Sequence, residues 1–142
     1  MKAVMFSALV VLLTAGLAFA NTEAGPRGGK LLENGEPRAE VLIEENRVIS
    51  IAFYDQAKKQ VSPGEHVITG TAEAPTGKSK LVFEKKGELL VSTTPLPEGE
   101  GYNVVLQVKE NAASKPQNFR VKYNMHVCGE CSHPEYACTC DH

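Results

Sequence analysis

The chain has no tryptophan, and aromatic residues make up only 6% of it, so it offers no broad platform for stacking bases or sugars. Charge is scarce as well as mixed. No run of five like charges occurs, and the net charge is −2. A weakly acidic protein of this kind is expected to be soluble and to avoid nucleic acid and anionic membranes. Helical periodicity and internal repeats are also missing. Most telling is cysteine, which does not occur anywhere before Cys128. No disulfide can therefore join one strand of the body to another, and its core must rest on apolar burial.

What is present begins with a leader. Residues 1–20 (MKAVMFSALVVLLTAGLAFA) carry one lysine, then a long apolar run ending in Ala18-Phe19-Ala20. That is the charged, hydrophobic and small-residue order of a secretory signal peptide. The alternative is an uncleaved anchor, since the run is almost long enough to span a bilayer. The polar Asn21-Thr22-Glu23 that follows favours cleavage. The mature protein is expected to be periplasmic or secreted, without a membrane contact, and its net charge becomes −3 once Lys2 is lost with the leader.

The body, residues 21–124, reads as strands. Residues 47–54 (RVISIAFY) alternate Ile49, Ile51 and Phe53 with Val48, Ser50 and Ala52, the period-two pattern of a half-buried strand. Similar runs fall at 38–45, 66–73, 80–85, 88–93, 102–109 and 118–123. Asn46 suits a tight connection between the first two, Pro63-Gly64 marks a turn, and Lys86-Gly87 suggests a hairpin. Seven or so short strands at steady spacing predict an all-β fold, an antiparallel immunoglobulin-like β-sandwich.

Motifs for enzymatic chemistry are wanting. Gly25-Pro26-Arg27-Gly28-Gly29-Lys30 lacks the spacing, the hydroxyl residue and the following helix of a phosphate-binding loop, and reads as a flexible lead into the first strand. His66, Asp55 and Glu65 read as polar surface. Nothing builds a hydrolase, and the chain is expected not to be an enzyme.

The remaining segment, residues 125–142, holds every cysteine: Cys128, Cys131, Cys138 and Cys140, spaced C-x2-C-x6-C-x-C. Four thiolates this close can surround one Zn²⁺, which takes sulfur ligands in a tetrahedron. Soft sulfur also suits Cu(I). His126, His133 and His142 lie near enough in sequence to replace a thiolate or join a second site, while Glu130 and Asp141 read as outer or solvated groups. Paired disulfides are the rival, because exported thiols tend to oxidise. A Cys128–Cys140 bridge would contribute about 3 kcal/mol in the chain-entropy model, yet it would pin the tail only to itself. A redox device is the third reading. It is disfavoured because no βαβ pattern or helix precedes Cys128 to activate it.

The body also carries a resemblance. GPRGGKLLENGEPRAEVLIEENRVISIAFYD, then VSPG, then LVFEKKGELLVSTTPLPEGEGYNVVLQVK, resembles the N-terminal β-domain of heavy-metal efflux adaptor (membrane-fusion) proteins, over about residues 25–123. Arg27 stands where that opening often has histidine, and the coiled-coil hairpin and lipoyl-like region are lacking. The resemblance is thus to the small domain alone, with a cysteine tail added. It implies a bacterial envelope setting, a link to metal handling, and a metal-efflux or other envelope protein as partner. The competing expectation is a non-enzymatic interaction or assembly module whose tail is closed by two disulfides.

Overall fold

The computed structural model describes residues 23–33 and 35–140; the leader, Asp141 and His142 lie outside them. All seven expected strands form: β2 (Arg38–Ile43), β3 (Ile49–Tyr54), β5 (Val67–Ala74), β6 (Gly77–Lys86), β7 (Leu89–Ser92), β8 (Asn103–Lys109) and β9 (Gln117–Lys122). Two more, β1 (Lys30–Leu31) and β4 (Gln60–Val61), are two residues long, too short to carry an alternation that a sequence could reveal. Among the described residues no helix is long and apolar enough to cross a membrane.

Turn chemistry sets the register. Lys86 pairs with Leu89, so Gly87 and Glu88 form a two-residue hairpin turn, with Gly87 at φ 62°. The β2–β3 connection departs from expectation. Arg47 takes the left-handed position, at φ 64°, while the Asn46 Oδ1 accepts from the Val48 amide at 3.1 Å. Leu96 holds Arg47 there: its amide donates to the Arg47 carbonyl at 2.8 Å, and Arg47 Nε donates to the Leu96 carbonyl at 3.0 Å.

Every strand pair is antiparallel, and the order is β1-β2-β3-β7-β6-β5-β8-β9, with β4 added to β3. The expected sandwich needs two sheets with no hydrogen bonds between them. Here β6 joins the two halves: Gly77 to Val82 pair with β5, and Phe83 to Lys86 pair with β7. A ten-residue strand long enough to serve both halves makes one continuous sheet, which curls into a half-barrel. Gly70 eases the curl, because a Cβ there would sit 3.1 Å from Leu106 and 3.3 Å from Leu81.

Inside the curl, Val41, Ile43, Ile49, Ile51, Phe53, Leu81, Leu90, Val104, Leu106 and Val121 are buried together. Each fully buried aliphatic or aromatic side chain contributes roughly 1.5–3 kcal/mol, and no cross-link adds to this in the body. One strand breaks the expected pattern. All six residues of β3 are buried, Ser50 and Ala52 included, so something must cover its outer face as well.

Candidate metal centre

The glycine-rich lead covers that face. It is folded rather than loose: the Gly25 amide donates to the Gly29 carbonyl and the Gly28 amide to the Gly25 carbonyl, both at 2.9 Å. The turn wraps the carboxylate of Glu40, a fully buried acid on the outer face of β2. Glu40 Oε1 accepts from the Arg27 and Gly29 amides at 2.9 Å each, and Oε2 accepts from Arg27 Nε at 3.0 Å and the Tyr54 hydroxyl at 2.9 Å. The Arg27 guanidinium also donates to Ser50 Oγ at 3.0 Å and to the Ser50 carbonyl at 3.2 Å. A charge can be buried this deeply because nearly every acceptor position is filled. A side chain at Gly25 would overlap the Glu40 carboxylate and one at Gly29 the Val41 carbonyl, so both positions require glycine.

The cysteine tail is attached to the body separately. Tyr136 and Ala137, in a short 3-10 turn (Glu135–Ala137), are buried and belong to the main core cluster. The Tyr136 hydroxyl oxygen accepts from the Ile43 amide at 2.9 Å, at the end of β2. The tail is therefore fixed to the body by packing and one buried hydrogen bond, not pinned only to itself. Burial foremost pushes the Tyr136 phenol above its ordinary pKa.

The cysteine spacing explains the local backbone. The first pair, Cys128 and Cys131, needs a tight turn to bring two sulfurs to one side. It is made by the Ser132 amide donating to the Cys128 carbonyl (3.0 Å) and the Cys128 amide to the His133 carbonyl (2.8 Å), with Ser132 at φ 60°. The second pair needs extended chain, in which residues i and i+2 face the same way. Cys138 is extended, at φ −63° and ψ 137°. The two pairs then converge. All four Sγ atoms lie within 4.8 Å of one another, with Cys128 and Cys140 3.9 Å apart and Cys131 and Cys138 3.5 Å apart. A tetrahedron with metal–sulfur bonds of about 2.3 Å has edges of roughly 3.8 Å. The donor set fits the ion, and none of the four cysteines is in a disulfide.

Electrostatics within the cluster favour a cation. The His133 backbone N–H foremost, with help from the His133 ring, the Cys138 thiol and the Thr139 amide, lowers the Cys131 thiol to about 6. Cys140 is pushed up by desolvation and then by its neighbouring thiols. At Cys138 the Cys140 amide, 3.4 Å from the sulfur, pulls down, but desolvation and the Cys128 and Cys131 thiols together raise it. Four like charges cannot share so small a space. A cation at their centre would offset that repulsion.

Of the other expected ligands, neither His126 nor His133 places a ring nitrogen in this set. His126 is exposed, and its backbone serves the fold, accepting from the Glu135 amide at 2.8 Å. His133 packs beside the site with its Nδ1 buried and lacking a hydrogen-bond partner. Glu130 is exposed, and His142 and Asp141 lie outside the described residues. His66 differs from its surface reading: it is half-buried, its ring 4.6 Å from that of Phe53, with Nδ1 2.8 Å from the Pro63 carbonyl. Tyr136 and the Arg27–Glu40 pair escaped sequence reasoning. Glu40 left one trace, as an acid in the middle of an apolar strand. The chain matches no protein-family model, no curated protein and no solved structure.

Proposed function

We propose that this is an exported, non-enzymatic metal-binding protein that captures or passes on a soft transition metal through Cys128, Cys131, Cys138 and Cys140. The observation that carries the reading is the convergence of four sulfurs within 4.8 Å, none of them in a disulfide. A closed set of four sulfurs suits Zn²⁺, with Cu(I) the alternative. Cys128 is buried while the other three are partly exposed, so an ion would arrive and leave on their side. The signal-peptide pattern and the resemblance to efflux-adaptor domains support an envelope setting with a metal-handling protein as partner.

Thiols must lose their protons to bind, so affinity falls as pH drops. Replacing Cys128 and Cys131 with serine is expected to abolish stoichiometric uptake of Zn²⁺ and Cu(I) while the β-sheet circular dichroism persists. Undiminished uptake by that double variant refutes the assignment. A second reading, an interaction module closed by disulfides, has one observation in its favour: Cys128–Cys140 and Cys131–Cys138 are already neighbouring sulfur pairs. Elemental analysis with thiol counting on protein taken from the exported compartment separates the two. Bound metal or four thiols favours the first, and neither favours the second.

A further inference from the structure

The sheet curls but does not close. Among the described residues β9 is its last strand and pairs with β8 alone. At the other end β1 is two residues long, and its outer side is already bridged, Ala24 to Lys30. Between the chain around β1 and β9 runs a seam of two clefts, about 300 and 240 Å³, which share Leu32 and Phe119 as a common wall. Leu32 is buried in the core, and Phe119 is half-buried and packs against it. The seam thus offers an apolar wall and the free edge of a strand side by side. An extended chain satisfies both at once: its backbone continues the ladder, and its alternate side chains enter the clefts.

Charge narrows the occupant. On β9, Phe119 and Val121 face inward, while Asn118, Arg120 and Lys122 face outward and are exposed. Arg120 has one long contact, to Glu73 at 3.5 Å. A second copy added symmetrically, β9 against β9, would set these cations opposite one another, where like charges repel. Edge cations guard against such self-pairing, yet they leave the edge open to a strand of opposite charge. Across the seam Glu33 and Glu36 line the other lip, so acidic side chains on an added strand are steered toward β9. We propose that the seam is a docking groove for an extended segment of a partner protein in which apolar residues alternate with Asp or Glu, added to β9 as a further strand. The apolar residues lie against Phe119 and Leu32, and the acidic ones beside Arg120 and Lys122. The groove does not depend on the cysteines holding an ion.

The test titrates the full chain into a fluorescein-labelled (Val-Glu)4 peptide and follows anisotropy. Binding is expected at low salt, and (Val-Lys)4 should bind at least about tenfold more weakly. Arg120→Glu should erase that preference. In ¹H–¹⁵N spectra of the wild type, saturating (Val-Glu)4 should shift the amides of β9 and slow hydrogen exchange of those on its outer edge, a readout that does not depend on any variant folding. No binding of (Val-Glu)4 overturns the proposal, as does equal affinity for the two peptides. Binding that leaves β9 exchange unchanged also overturns it, since the peptide would then be held by diffuse attraction to the basic face. So does β9 protection that grows with protein concentration in the absence of peptide, because the seam would then take a second copy.

Discussion

The two halves of the sheet face outward in opposite ways. Across β2 and β3 the outer positions hold Glu40, Ser50, Ala52 and Tyr54, all buried, with the lead folded over Glu40 and Ser50. Across β5, β6, β8 and β9 they hold Thr69, Thr71, Lys80, Val82, Gln107, Arg120 and Lys122, and little covers them. The inner faces look alike, Ile49-Ile51-Phe53 in one half and Val104-Leu106 in the other. A period-two pattern therefore reports the inside of a strand and says nothing about what lies over its back. The small residues Ser50 and Ala52 are the mark of the covered half, because only short side chains leave room for an arginine and a turn.

Ion pairs offer the sharpest way to break this contrast. Arg27→Met would strand the buried Glu40 carboxylate, and a loss of about 3–5 kcal/mol is expected from urea unfolding. Glu73→Ala, which removes the exposed contacts to Lys78 (3.6 Å) and Arg120 (3.5 Å), should cost less than about 1 kcal/mol. Equal losses would erase the distinction between the halves.

Next in size is the tail's anchor. Tyr136→Phe keeps the ring but leaves the buried Ile43 amide without its acceptor, and should cost about 1–3 kcal/mol. A variant as stable as wild type would mean that the tail is not held there.

Alkaline titration probes both halves together. Tyr54 and Tyr136 in the covered half, and Tyr102 and Tyr123 beyond it, all have raised pKa values with burial as the largest cause, and Tyr102 reaches about 12. The folded state keeps these protons where the unfolded chain, ionising near 10, has lost them. Stability is thus intact below pH 10 and declines between pH 10 and about 12. Unfolding free energy that stays flat across that interval would contradict the burial of the phenols. The smallest effect is expected on the bare face, where Lys80→Ala should change stability by no more than about 0.5 kcal/mol.

The contrast also explains what the sequence could disclose. Strands such as β3 and β8 were legible because alternation is a local property, and the sulfur set because its ligands fall within thirteen residues. The joining of the halves was not legible, because nothing in GKSKLVFEKK says that one strand will pair with different neighbours along its length. The lead was misread as flexible because its partner, Glu40, lies thirteen residues on from Arg27 and outside any periodic relation to it. Tyr136 gave even less warning. It is one aromatic residue in a polar tail, and its acceptor role depends on an amide in β2.

That last contact has a kinetic consequence. The Ile43 amide is satisfied by a residue ninety-three positions later in the chain, and closures over long separations carry a large entropic penalty before they are rewarded. The sheet, built mainly from neighbouring hairpins, can precede that closure. The thiol cluster would then be fitted onto a finished scaffold, as the closing step of folding and not as its nucleus.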